Sequence, residues 1–218
     1  MPPTRVIAIA GAALTIAALL LQYWLQFQWM PPETTPLAVT WRYFGYFTIL
    51  TNGLVVTVWM PNALGRSGSR FNTPMMEGLA LTNIAMVGII YHALLAARWH
   101  PEGAQWVADF VVHTVSPLMF AVYWCARPHG ALRWRNAVVF ALWPLAYCMY
   151  ALIRGAFDGW YAYFFLDPST TPLPQLALNI LAQGAGFLLA GLVVVAFDRA
   201  LARRFSRSLQ PNASAPAP

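Results

Sequence analysis

There is no lysine anywhere in this 218-residue chain, and charged residues of all kinds make up only 9% of it. A soluble domain normally carries about 25% charged residues, so this scarcity excludes an ordinary water-soluble fold. The short alternating segments that build outer-membrane barrels are missing too. The apolar runs are instead about 20 residues long, the length a helical span needs. Cysteine is limited to Cys125 and Cys148. They fall near the end of one predicted span and well inside the next, roughly 20 Å apart in depth at the helical rise, which is far beyond disulfide reach. No metal-binding spacing is present.

The basic residues are all arginine, 13 against 7 acidic residues, for a formal charge of +6 and a pI near 9.7. They lie thinly spread between apolar runs and form no patch, so no nucleic-acid partner is indicated and membrane topology accounts for them better. Hydrophobic residues are 59% of the chain and the mean hydropathy is +0.55. The sequence therefore predicts an all-α polytopic membrane protein. Its partner is the lipid bilayer, and one domain of six transmembrane helices covers residues 1–204, followed by a disordered Pro/Ala/Ser tail over 205–218.

The predicted spans cover about residues 5–30, 40–62, 75–99, 104–126, 135–154 and 175–198. The first follows a single Arg, as a signal peptide does, but it is longer than a signal h-region and ends in Tyr23, Trp24 and Trp29, which suit a retained helix. Pro144 inside the fifth is expected to mark a kink rather than an end. Gly155 to Pro174 reads as an aromatic loop at the interface, with Arg154 and Asp158 spaced to pair with each other. Ala182, Gly186 and Ala190 recur every four residues as a small-residue seam for helix packing. Six spans put both termini on one side, which receives ten arginines against three (Arg42, Arg98 and Arg154) on the other. The positive-inside rule then makes both termini cytoplasmic in the cell (inner) membrane, and the Asn212-Ala213-Ser214 sequon lies on the wrong side for glycosylation.

Polar groups inside such spans are costly and are functional suspects. His113 sits within the apolar run Asp109-Phe110-Val111-Val112-His113-Thr114-Val115-Ser116-Pro117. On a helix, Asp109 lies one turn earlier on the same face, placed to accept the imidazole N–H. Thr48 in the second span and His113 in the fourth each lie about eight or nine residues in from the outer side, roughly 12 to 14 Å at the helical rise. His92 in the third span and Asn179 in the sixth are placed in the same outer-leaflet layer. Blander roles compete with each: a membrane threonine usually bonds its own helix one turn back, His92 can snorkel to the surface, Asp109 can be a solvated carboxylate, and Asn52, Asn83 and Asn179 can join helices by hydrogen bonds. The chemistry that uses the layer is nucleophilic catalysis. Thr48 would be the nucleophile, His113 its base and Asp109 the group that orients the base, with Asn52 or Asn179 as oxyanion donors.

Three stretches together resemble the androgen-induced gene protein family, which includes six-pass bacterial proteins: Phe47-Thr48-Ile49-Leu50-Thr51-Asn52, His113-Thr114-Val115-Ser116-Pro117, and Trp160-Tyr161-Ala162-Tyr163-Phe164-Phe165-Leu166-Asp167-Pro168. The resemblance implies a six-helix membrane hydrolase, with Thr48 as nucleophile and His113 as its partner, acting without a cofactor on fatty acid esters of hydroxy fatty acids. Two alternatives come from other classes. In one, His92 and His113 are axial ligands of a haem. In the other the polar layer is a transport pathway, although the inverted repeats common in transporters are not visible.

Overall fold

The computed structural model of the protein describes residues 1–66 and 68–208, and every regular element among them is helical. Helix α1 spans Pro3–Trp29, α2 Pro36–Tyr43, α3 Phe47–Ala63, α4 Pro74–Ile90, α5 Gly103–Phe110, α6 Ser116–Cys125, α7 Arg135–Asp158 and α8 Leu173–Ser208. Local sequence sets several of the starts. Pro3, Pro36 and Pro74 occupy first turns, where a missing N–H costs nothing. Thr35 and Thr73 cap α2 and α4 by accepting from Ala38 N and Met76 N, each at 3.3 Å. Gly159, in the left-handed region at φ 69°, ends α7, as a C-cap glycine does.

Five helical segments are long and apolar enough to cross a membrane: α1, Pro74–Arg98, Gly103–Cys125, α7 and Leu173–Arg203. A sixth is made if α2 and α3 are counted together, but they are bent by 79°. The second predicted span is thus broken instead of running straight from 40 to 62. The break is a tertiary feature. A Cβ on Gly45 would collide with the Arg154 guanidinium and the Trp160 ring, so the chain turns beneath these two groups. The carbonyls exposed at the turn are satisfied from α7, with Tyr147 donating its hydroxyl to Gly45 O at 2.8 Å and Tyr150 donating to Phe44 O at 3.1 Å. Arg154 also lies 3.5 Å from Asp158.

Trp59, Tyr123, Phe120, Phe140 and Phe187 fill the centre of the bundle, while Leu20, Leu118 and Leu181 point outward at 63%, 63% and 70% exposure. Apolar side chains on the outside suit hydrocarbon, where helix contacts depend on close packing of small residues. Helix α8 lies on α7 at Gly184 and Gly191, where a Cβ would come within 3.3 Å of Leu145 and 3.1 Å of Ala137. The expected seam of Ala182, Gly186 and Ala190 is not that contact: Ala182 is exposed and a Cβ on Gly186 meets only Met86, at 3.8 Å. Seven residues is two turns, so 184 and 191 share the face turned to α7. Helix α8 runs to Ser208, into the stretch assigned to the tail by sequence; residues 209–218, with the sequon, lie outside the described residues. Both cysteines are free.

Two buried acids tie the turns to the helices. Glu77, 2% exposed, accepts from Arg127 Nε at 2.7 Å, and Arg127 Nη2 donates to Asn72 Oδ1 at 2.8 Å. Asp198, 1% exposed, accepts from Leu132 N at 3.0 Å and lies 3.2 Å from His129 Nδ1. Removing one partner of a buried pair leaves an uncompensated charge, at a cost of about 3 kcal/mol. Arg127→Met is therefore expected to lower the melting temperature in detergent, and Arg127→Met with Glu77→Gln to regain part of the loss.

Candidate active site

The break between α2 and α3 is what makes the Thr48 hydroxyl available. In mid-helix a threonine bonds the carbonyl one turn back, as Thr57 does to Gly53 O and Thr82 to Gly78 O, each at 2.9 Å. Thr48 is the second residue of α3. Its preceding turn lies beyond the bend, where Phe44 O is taken by Tyr150. Its Oγ1 turns instead to His113 Nε2, 3.2 Å away.

His113 lies in a π-helical turn, Val111–Val115, between α5 and α6. The Ser116 N–H bonds Val111 O and Pro117 has no N–H, so the carbonyl of Val112 finds no donor in its own helix. Asn52 supplies one. Its Nδ2 donates to Val112 O at 3.1 Å and to Thr48 O at 2.9 Å, joining the first turn of α3 to the widened turn that carries His113. A second π turn, Tyr91–Leu95, continues α4. There the Tyr91 ring stacks on the His113 imidazole, with centroids 3.9 Å apart and planes at 13°. Gly88, one turn earlier, brings α4 against His113 O: a Cβ there would lie 2.9 Å from that oxygen.

Hydrogen-bond logic assigns the imidazole tautomer. His113 Nδ1 lies 3.0 Å from Asp109 O and 3.3 Å from Asp109 Oδ1. A carbonyl oxygen can only accept, so Nδ1 carries the proton and, in the neutral ring, Nε2 is the acceptor facing Thr48. Asp109 is 7% exposed, and the Tyr91 phenol interacts with its carboxylate as well. Thr48, His113 and Asp109 thus form one chain of contacts.

Two cavities meet at this chain. The larger, about 360 Å³, is lined by Thr48, His113 and Asp109, by Gln22 and Gln26 of α1, and by Arg98. The smaller, about 30 Å³, is lined by Thr48, His113, Tyr163 and Gln183. The aromatic loop closes over both through Tyr163, whose ring stacks on Phe165 at 5.3 Å. Burial pushes the Tyr163 phenol up to about 12. The chain matches no protein family model, no curated protein and no solved structure.

The other residues singled out by sequence stand elsewhere. His92 is exposed and lies 3.0 Å from Thr114 Oγ1. It lines a third cavity with His100 and Glu102, while His113 lines the other two. Among the described residues no group of three or more His, Cys, Asp or Glu side chains could hold a metal ion. Asn179 donates to Phe165 O at 2.9 Å and accepts from Gln175, which anchors the aromatic loop. As the Asn52 amide is also engaged by two carbonyls, neither asparagine is placed as an oxyanion donor. Asn83 joins helices, donating to Leu79 O and Phe140 O. Tyr91, Tyr163 and Gln183 went unremarked in the sequence as site residues. Gln183 was findable by the rule that flagged His113, a polar group deep in an apolar span, whereas Tyr91 looks like any other aromatic at a span's end.

Proposed function

We propose that the protein is an intramembrane threonine hydrolase of lipid esters. The observation that carries this is the Thr48 Oγ1 to His113 Nε2 contact of 3.2 Å, with the opposite ring nitrogen held by Asp109. In this reaction Nε2 takes the Thr48 proton as Oγ bonds to the ester carbonyl carbon. The tetrahedral intermediate expels the alcohol, which leaves with that proton. Water then attacks the acyl-threonine, gives a proton to Nε2, and releases the fatty acid as the proton returns to Thr48. The larger cavity, with its apolar walls and glutamine-lined side, suits an amphiphile that enters from the bilayer. The likeness of three stretches to the androgen-induced gene protein family supports the same chemistry, with fatty acid esters of hydroxy fatty acids as the substrate class.

The topology that goes with this function has six spans, the broken α2–α3 pair being one, with both termini cytoplasmic and the site in the outer leaflet of the cell membrane. The arginine distribution supports it. The test is labelling of the detergent-purified protein by a long-chain fluorophosphonate, with the modified peptide read by mass spectrometry. Phosphonylation of Thr48 is expected in the wild type and absent in Thr48→Ala and His113→Ala. No labelling of folded wild type, together with no cleavage of a panel of long-chain esters, would remove this function.

A further inference from the structure

We propose that Tyr163 and Gln183 are the oxyanion donors of this site, set around the small cavity beside Thr48; this rests on the threonine-hydrolase function proposed above. An acyl transfer needs donors aimed where the carbonyl oxygen becomes negative, and the asparagines that the sequence offered for this task are engaged by backbone carbonyls. The small cavity has the right neighbours. Thr48, His113, Tyr163 and Gln183 all line it. Its volume of about 30 Å³ has room for about one water-sized group, which fits a carbonyl oxygen, while the larger cavity, which Thr48 also lines, takes the acyl and alcohol portions.

Gln183 contributes an orphan. Its Nε2 is buried with no hydrogen-bond partner among the described residues, and such a donor is costly unless something occupies it during function. Tyr163 is placed by the same small cavity, which it and Thr48 both line. His113 Nδ1 donates to Asp109, so Nε2 accepts the Thr48 hydrogen. With that hydrogen committed to the imidazole, the cavity lining offers the Tyr163 hydroxyl and the Gln183 amide as donors. When Oγ bonds to the carbonyl carbon, the oxyanion forms on that same carbon, one bond beyond Oγ. A donor on the wall of the small cavity that Thr48 also lines is placed to reach it. The Tyr163 ring is held for this: it stacks on Phe165 at 10° and meets Tyr147 edge-on at 6.0 Å. The loop behind it is pinned by Asn179 at Phe165 O and by the buried Leu166.

During acylation these two groups donate hydrogen bonds and exchange no protons. The electron pair of the carbonyl π bond moves onto oxygen, is stabilised by Tyr163 Oη–H and Gln183 Nε2–H, and returns as the alcohol leaves. Removing one donor of this kind typically lowers kcat about 100- to 1,000-fold.

The test compares wild type, Tyr163→Phe and Gln183→Leu for ester turnover and for inhibition by a long-chain alkyl trifluoromethyl ketone, which forms a tetrahedral adduct on the nucleophile. Each variant is expected to lose about 100-fold in kcat with KM within about threefold of wild type, and to bind the ketone weaker by the same factor as kcat falls, at an unchanged melting temperature. Wild-type turnover and ketone affinity in either variant would overturn the two-donor pocket. So would a loss that appears equally in KM and in ketone affinity, the mark of distorted binding. An inert wild type would instead remove the hydrolase function itself, and the pocket with it.

Discussion

Thr48→Ala is expected to lower long-chain ester turnover by about 10⁴-fold or more, the scale seen when the nucleophile of an acyl-transfer unit is removed. In the proposed reaction the contact that aligns its hydroxyl is the one to His113 Nε2, at 3.2 Å. His113→Ala is expected to reach the same residual rate, and the double variant to be no worse than either, because a nucleophile and its base act as a unit. Thr48→Ser keeps a hydroxyl at the second residue of α3 and is expected to retain measurable turnover. Stability should hardly change, since a hydrogen bond of this kind is worth about 1 kcal/mol. Fatty-acid release by purified protein in detergent, followed by mass spectrometry, measures the rates, and thermal unfolding measures the stability. Near-normal turnover in folded Thr48→Ala would rule Thr48 out as the nucleophile.

The second large effect is expected from Asn52→Asp, a change that keeps the shape and reverses the hydrogen bonding. Asn52 Nδ2 holds Thr48 O and Val112 O at a fully buried position. A carboxylate there can donate to neither when ionised and to one when protonated, so Val112 O or Thr48 O loses its donor inside the bundle. Each unsatisfied buried group costs about 1–3 kcal/mol. A melting temperature lower by several degrees is expected, together with a fall in kcat of about 100-fold, on the same scale as the loss of a donor in the site. Asn83→Asp is the informative comparison. Asn83 makes the same pair of bonds, to Leu79 O and Phe140 O, and lines none of the three cavities. It should lose stability to a like extent and keep its turnover per folded molecule. Equal losses of kcat in the two variants would show that Asn52 acts on stability alone.

The meeting of Thr48 and His113 illustrates how far depth counting along predicted spans reaches. Helical rise is nearly constant, so two residues about equally far from the same membrane face lie at one level whatever their helices do sideways. Lateral position has no such ruler. His92 and Asn179 satisfied the same count, yet one faces Thr114 and the other holds the aromatic loop. The spacing of Asp109 and His113, four residues apart in one span, was a local relation and placed the carboxylate within 3.3 Å of the ring.

By itself the sequence determined that the chain is helical and apolar over span-length stretches, and which polar side chains they carry. Hydropathy, proline and capping chemistry act locally and need no knowledge of neighbouring helices. Only the tertiary structure decided that the second stretch breaks at Gly45, because the break is held by Arg154, Tyr147 and Tyr150 from a helix about 100 residues later. It likewise decided which small residues of α8 meet α7, and that two π turns face each other across the Tyr91–His113 stack. Tyr163 and Gln183 beside Thr48 belong to the same class. Contacts between distant segments depend on how whole helices pack, which no local period encodes, and the site is built from such contacts.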